Sequence, residues 1–267
     1  MAESRPKASV LLIGNELLTG KIRDENGWYL TQVCRRRGIE LREISVVPDE
    51  IPTIGDALMR LLQSAPLVFT SGGVGPTHDD LTMAAIARAT SRPLVRDPQM
   101  ESLLRAHYGE SIDTALRMAD IPEGTSLRAP SGWPIMRLDL RADERFEHYP
   151  SLPHDARIYI LPGIPALLRS KVETLETLEG ELPDARDWAL VELHTELDES
   201  AIAPHLDAVV EAFPDVEIGS YPRWDPDGEG RLRVRVKITF EASSEQRALA
   251  ARARLEQVLA EAAPRQA

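Results

Sequence analysis

Three glycines within four residues, Gly72, Gly73 and Gly75, follow the apolar run Pro66-Leu67-Val68-Phe69-Thr70 and stand just ahead of a helical pattern beginning near Asp80. A short run rich in β-branched and aromatic residues reads as a buried parallel strand. A chain that passes from such a strand through glycines into a helix has few folds open to it. The turn belongs at the carboxyl edge of a sheet, with bare backbone amides and the helix N-terminus directed at one spot. That geometry favours phosphate. Two adjacent carboxylates, Asp79 and Asp80, then flank an anion site, a conflict that a divalent cation resolves. The plainer reading makes one of them an N-cap and the glycines a tight turn. Both readings stand on these residues alone.

The alternation continues on either side. Ala8 to Ile13 reads as a buried strand, followed by a turn at Gly14-Asn15-Glu16-Leu17-Leu18-Thr19-Gly20. Asp24 is placed to cap a helix with Tyr29, Leu30, Val33 and Cys34 at helical spacing, which the solvated triplet Arg35-Arg36-Arg37 and Gly38 bring to an end. Leu41 to Val47 is a second strand, interrupted by Pro48-Asp49-Glu50, and Ile54, Ala57, Leu58, Leu61 and Leu62 mark the next helix. The order β-α-β-α-β-α with short connections predicts parallel strands and right-handed crossovers, so Glu16, Asp49 and Asp80 share one sheet edge. Asp97-Pro98 opens a helix that Gly109 stops. Ile112 to Pro153 reads as an excursion from the sheet, with a turn at Ala129-Pro130-Ser131-Gly132-Trp133-Pro134 and a strand at Ile135 to Leu140. Arg157 to Leu161 returns as a core strand, and Pro165 starts a helix. Between them Pro162-Gly163-Ile164-Pro165 is either a second phosphate loop or a plain turn.

The acidic stretch Glu179 to Asp184 marks a boundary, which predicts domains over residues 1–180 and 185–267. The second reads β-α-β-β-α, a small α+β domain of KH-like topology. Its strand Arg231 to Ile238 alternates apolar and basic residues, but from Asp198 onward thirteen acidic residues face nine basic ones. A solvated face or subunit interface is favoured over nucleic acid. The whole chain of 267 residues carries a formal charge of −12, which argues against nucleic-acid and acidic-membrane partners. Its single cysteine, Cys34, excludes an internal disulfide and reads as core. No run reaches membrane-spanning length and residues 1–7 lack a secretory hydrophobic segment, so a soluble cytoplasmic protein is expected.

Gly14 to Gly20, Val47-Pro48-Asp49-Glu50, Ser71 to Thr82 and Leu161 to Pro165 together resemble the motif set of the molybdopterin-binding (MoaB/Mog-like) domain family. The type is that of the N-terminal part of competence/damage-inducible protein A. With Ser200 to Pro204 and Gly219 to Trp224 included, the likeness is closer to the molybdopterin-binding-like domain of eukaryotic FAD synthase and covers almost the whole chain. It implies an α/β, Rossmann-like three-layer domain with a mainly parallel sheet ahead of the small α+β domain. By the same resemblance the loop Ser71, Gly72, Gly73, Gly75, Pro76 and Thr77 holds phosphates, as do Gly14, Asn15, Glu16, Gly163 and Pro165. Asp80 and Asp49 are the implied working carboxylates, with Asp79 beside them, and Asp80 and Asp49 the implied ligands of a divalent metal (Mg, Mn or Co). Asn15, Ser71 and the pair Ala166-Leu167 depart from the usual pattern, the last pulling toward the FAD synthase type.

Members of the family either bind molybdopterin or hydrolyse nucleotide pyrophosphates. The expectation is therefore a metal-dependent nucleotide pyrophosphatase that splits FAD, ADP-ribose or a related dinucleotide to AMP and a second monophosphate. The alternative is a molybdopterin-binding protein of molybdenum-cofactor biosynthesis, and a third reading is a non-catalytic regulator of a partner. The family's amidase and adenylyltransferase domains have no counterpart in the sequence, so activity is expected in the first domain. The partners implied are a small-molecule nucleotide or pterin and a second copy of the chain, as a homodimer contacting through the small domain.

Overall fold

Strand pairing in the computed structural model follows from which apolar runs are long enough to be covered on both faces; residues 5–109, 112–128, 132–185, 188–226 and 232–262 are described. The chain forms two compact units, Arg5–Asp184 and Ala185 onward. In the first, β1 (Lys7–Ile13) pairs in parallel with β2 (Glu40–Val47) on one side and β3 (Leu67–Ser71) on the other. Successive β1 side chains point to opposite faces. Val10 and Leu12 pack with Leu30 and Val33 of α2 (Asn26–Arg36) and with Leu168 and Val172 of α6 (Pro165–Thr177). Leu11 and Ile13 pack with Leu58 and Leu61 of α3 (Ile51–Ser64) and with Ile86 of α4 (Thr82–Ala89). The result is three layers. Each fully buried Leu, Ile or Phe contributes about 1.5–3 kcal/mol, and coverage of both faces explains why these strands are continuous apolar runs.

The excursion predicted for Ile112 to Pro153 is only partly one. A ribbon of β4 (Leu94–Arg96) and β5 (Asp120–Pro122) does leave the sheet, flanking α5 (Pro98–Tyr108) and a 3-10 turn at Ala115–Ala119. However, β6 (Ser126–Arg128) and β7 (Ile135–Leu140) rejoin it, β7 lying antiparallel to β8 (Ala156–Leu161) and giving the order β2-β1-β3-β8-β7-β6. Strands of three residues are too short to show a period of two, which is why β4, β5 and β6 escape a sequence reading. The Gly14–Gly20 turn contains one helical turn, α1 (Asn15–Leu18). Ala129, Pro130 and Ser131 of the predicted turn, and Arg231, lie outside the described residues.

The arginine triplet is more than a solvated helix end. Arg36 pairs with Glu176 at 2.5 Å, and Arg37 donates to the carbonyls of Pro183 and Leu182. Nearby, Glu181 is 1% exposed and receives Tyr159 Oη at 2.7 Å, Arg128 Nε at 2.7 Å and Arg137 Nη1 at 2.9 Å. Burial pushes the Glu181 carboxyl up, but these hydrogen bonds outweigh it and hold the group below its ordinary range. A depressed folded-state pKa adds stability that is present above the unfolded value, about 4.3, and lost as pH falls through the folded one. Acid titration followed by circular dichroism should show that loss below about pH 4, and Glu181→Gln should shrink it. Burial also pushes the Cys34 thiol up to about 12. A thiol reagent at pH 8 should label Cys34 only after unfolding.

The second unit packs β9 (Ala189–Thr195), α7 (Glu199–Ala212), β10 (Glu217–Pro226), β11 (Leu232–Ala242) and α8 (Glu245–Ala262), with an antiparallel sheet ordered β10-β11-β9. Val236, Ile238 and Phe240 of β11 pack with Ile202, Val209, Ala251 and Leu255. Between them Lys237 pairs with Glu192 at 3.2 Å and sits 5.8 Å from the Tyr221 ring centre. Strand β10 carries Pro222 and Pro226, which the edge position of this strand tolerates.

Candidate functional site

Because β2 and β3 flank β1 on opposite sides, the chain reverses direction there and leaves a crevice at the carboxyl ends of the strands, the usual ligand position in an open α/β sheet. A cavity of about 550 Å³ opens at that point. Its floor requires glycine. Gly72 has φ 104°, and a Cβ there would stand 2.1 Å from the carbonyl oxygen of Ile13. Gly73 has φ 63°, and its Cβ would meet Thr82 Oγ1 at 2.4 Å. A Cβ on Gly163 would approach Gly72 Cα to 3.2 Å, so the β3 and β8 loops lie backbone against backbone. Gly72 N donates to Leu161 O across that contact.

Asn26 staples the same two loops. It is buried at the start of α2, and its Nδ2 donates to Ser71 Oγ at 3.0 Å and Gly163 O at 2.7 Å. No sequence signal marks Asn26, since those partners lie 45 and 137 residues away. Asp24 accepts from Asn26 N and Gly27 N, capping α2 as predicted.

Helix α4 begins at Thr82, beyond the two aspartates, and its first amide closes on the glycine loop. Thr82 N donates to Gly73 O and Thr82 Oγ1 to Gly72 O. Asp80 therefore does not cap the helix. Its Oδ2 accepts from Thr77 N at 2.8 Å and from Thr77 Oγ1 at 2.5 Å, and the carboxylate lies against Gly75. Asp80 Oδ1 has no hydrogen-bond partner among the described residues. Asp79 Oδ1 stands 2.5 Å from the same Thr77 hydroxyl, whose single proton the two carboxylates share, and that hydrogen bond foremost holds the Asp79 carboxyl below its ordinary range.

Of the residues expected at the site, Ser71, Gly72, Gly73, Gly75 and Pro76 line the cavity, together with Glu16, Asp80, Gly163 and Pro165. Gly14, Asn15, Thr77, Asp79 and Asp49 do not. Gly14 N bonds Val47 O, and Asp49 Oδ2 accepts Asn15 N at 2.8 Å, which fastens the β1 and β2 loops together. Arg23, Tyr108 and Met118 line it without a sequence signal, the last two brought by α5 and the 3-10 turn.

Charge on the wall is mostly negative. Glu16, Asp24, Glu25 and Asp80 stand against Arg23, but Asp24 is spent on the α2 cap and Glu25 pairs with Arg169 at 2.9 Å. Glu16 and Asp80 remain without an ion pair among the described residues. Arg117 Nη2 lies 3.5 Å from Asp80 O. No three carboxylate, imidazole or thiol groups among the described residues stand close enough to cage a metal. The donor set fits a hard cation that is held by one or two carboxylates and by a ligand's phosphates.

Residues 9–179 match the family model for a probable molybdopterin binding domain, and residues 187–266 match that for the FAD synthase middle domain. A protein from Aeropyrum pernix is 30% identical over 263 residues, covering 94% of this chain and 92% of its own length. A probable FAD synthase from Caenorhabditis elegans is 28% identical over 245 residues, 82% of this chain and 44% of that protein, so this chain spans less than half of it. The crystal structure of the protein CinA, of unknown function, from Thermoplasma acidophilum superposes with a TM-score of 0.55 at 27% identity, over 64% of this chain and 96% of that one. No helix among the described residues is long and apolar enough to cross a membrane. On the match over residues 9–179, this chain belongs to the molybdopterin-binding domain family.

Proposed function

We propose that the cavity binds a nucleotide pyrophosphate such as FAD or ADP-ribose and hydrolyses its anhydride, with a divalent cation, to AMP and a second monophosphate. One observation carries this reading: an amide-rich glycine loop and two uncompensated carboxylates, Glu16 and Asp80, share one cavity. They are compatible with each other when phosphate and cation arrive together. Asp80 and Glu16 would hold the cation, which supplies charge neutralisation on the two phosphates. Asp49 works indirectly, by fixing Asn15 and the loop that carries Glu16. The glycine-loop amides bind the phosphate oxygens, and the Gly163 loop closes the other side. Asp80 Oδ1, without a hydrogen-bond partner among the described residues, orients the water and takes its proton as the water oxygen bonds to phosphorus; the anhydride P–O bond breaks, and the leaving monophosphate keeps the bridging oxygen.

Arg23 supplies the guanidinium on a wall otherwise acidic, so it acts on binding more than on chemistry. Arg23→Ala should raise KM about tenfold with kcat little changed. Steady-state kinetics with ADP-ribose checks this, and equal loss in kcat would move Arg23 into the chemical step. The family match over residues 9–179 favours a second reading, a pterin-binding protein of molybdenum-cofactor biosynthesis. Purified protein incubated with Mg²⁺, Mn²⁺ or Co²⁺ and a panel of FAD, ADP-ribose and NAD separates the two. AMP release supports hydrolysis, while a fluorescent pterin that co-purifies without AMP release supports the second. A homodimer through the small unit completes the proposal, and light scattering that gives a concentration-independent mass near 29.6 kDa would remove it.

A further inference from the structure

In the second unit Val236, Ile238 and Phe240 turn one face of β11 onto α7 and α8, so the residues that alternate with them form an outer sheet face. Strand pairing fixes which side chains share a row there. Glu217 of β10 stands directly opposite Glu241 of β11 at one end, and Arg223 opposite Arg235 at the other. Like charges in directly opposed positions are unfavourable within one sheet. The two pairs are also symmetrically placed. Glu241 lies three residues to one side of Ile238 and Arg235 three to the other, while Glu217 and Arg223 flank Ser220, the partner of Ile238, in the same way.

The middle of the face is partly apolar. Tyr221 is 52% exposed, and its ring lies over Gly219, where a Cβ would stand 2.9 Å from a ring carbon. Leu190 of β9, opposite Glu241, is also exposed. A solvated outer face is ordinary for an antiparallel sheet, but there acids and bases are interspersed. Here they are sorted by end. Nucleic acid would meet the acidic end with repulsion, and the chain's formal charge of −12 adds to it.

We propose that this face packs on the same face of a second copy, about a two-fold axis that runs across the strands at the row of Ser220 and Ile238. The proposal rests on the homodimer part of the reading above and not on hydrolysis. Rotation about that axis reverses the strands and keeps their order, so β10 lies over β10 and β11 over β11. Glu241 of one protomer then faces Arg235 of the partner subunit, and Glu217 faces Arg223 of the partner subunit. Each contact occurs twice, and the two Tyr221 rings come together beside the axis. Seven residues of a strand extend about 20 Å and neighbouring strands lie about 5 Å apart, so three strands offer less than the roughly 800 Å² per partner of a standard interface. Self-association is therefore weak and follows protein concentration.

Sedimentation equilibrium on the full chain tests this with two charge-reversed proteins. One carries Glu217→Arg and Glu241→Arg, the other Arg223→Glu and Arg235→Glu. The parent mass should rise with concentration from 29.6 kDa toward twice that value. Each reversed protein alone sets like charge over like charge at every contact and should associate at least about tenfold more weakly. Mixed in equal amounts, the two restore opposite charges at every contact, and association should return to within about threefold of the parent. Recovery on mixing also shows that both reversed proteins are folded. Where a reversal fails to melt cooperatively, Arg223→Gln with Arg235→Gln replaces it and should weaken association about threefold. A parent that stays monomeric throughout would overturn the proposal together with the homodimer, and leave the face to a partner of another kind. A parent that dimerises, with folded reversed proteins that dimerise equally well, would overturn this face alone and keep the homodimer. Folded reversed proteins that associate weakly and do not recover on mixing would overturn the two-fold arrangement.

Discussion

Asp80→Asn is expected to lower turnover of FAD or ADP-ribose by about two to three orders of magnitude at saturating cation, with a melting temperature within about 3 °C of the parent. The reasoning is geometric. Asp80 Oδ2 closes the Pro76 loop through Thr77 N and Oγ1, and an amide oxygen can accept both bonds in the same place. Shape survives, and charge does not. Because α4 starts at Thr82, two residues later, capping gives Asp80 no further structural task. What the substitution removes is the charge on Oδ1, the oxygen left for cation or water. Asp79→Asn should be much milder, since Asp79 lies off the cavity wall. Kinetics and thermal melts on both variants decide it: an Asp80→Asn protein that melts like the parent and keeps full turnover would end the catalytic assignment.

Gly72→Ala should destabilise the first unit by about 3 kcal/mol or more, lowering its melting temperature by roughly 6–12 °C, and should abolish phosphate binding in whatever remains folded. Two separate penalties combine. At φ 104° an alanine is strained whatever its surroundings, and its Cβ would stand 2.1 Å from the Ile13 carbonyl, on a strand that cannot withdraw from the core. By contrast Gly20, at φ 70° with open space around it, should lose only the left-handed penalty, about 1 kcal/mol, when made alanine. Scanning calorimetry on the two variants compares them. Equal shifts would mean that the Ile13 contact relaxes and that glycine is not required for close approach at this loop.

Local signals made much of this architecture readable from sequence. Val10 to Ile13, Val68 to Phe69 and Ile158 to Leu161 are apolar without a break because helices cover both faces of β1, β3 and β8. The Asp97 cap and the Gly109 stop act within a few residues of their own helix. The glycine loop was legible for the same reason, since strand, glycines and aspartates are contiguous. What stayed hidden depends on distance. Asn26 has meaning only beside Ser71 and Gly163, and Tyr108 and Met118 only where α5 and the 3-10 turn fold over the cavity. Arg36 and Arg37 looked solvated because Glu176 and the Leu182 and Pro183 carbonyls are remote in sequence. The shared edge of the parallel strands was correctly inferred, yet it brought Glu16 and Asp80 to the cavity and left Asp49 holding Asn15.

Cleavage of the anhydride is the claim on which the functional account turns. The direct measurement is product analysis after incubating the protein with FAD and, separately, ADP-ribose in the presence of Mg²⁺, Mn²⁺ or Co²⁺, in water enriched in oxygen-18. The account predicts AMP and the second monophosphate in equal amounts, one phosphate carrying a single heavy oxygen, and products that fall with Asp80→Asn. Intact dinucleotide under every cation, with a protein that melts cooperatively, would contradict it.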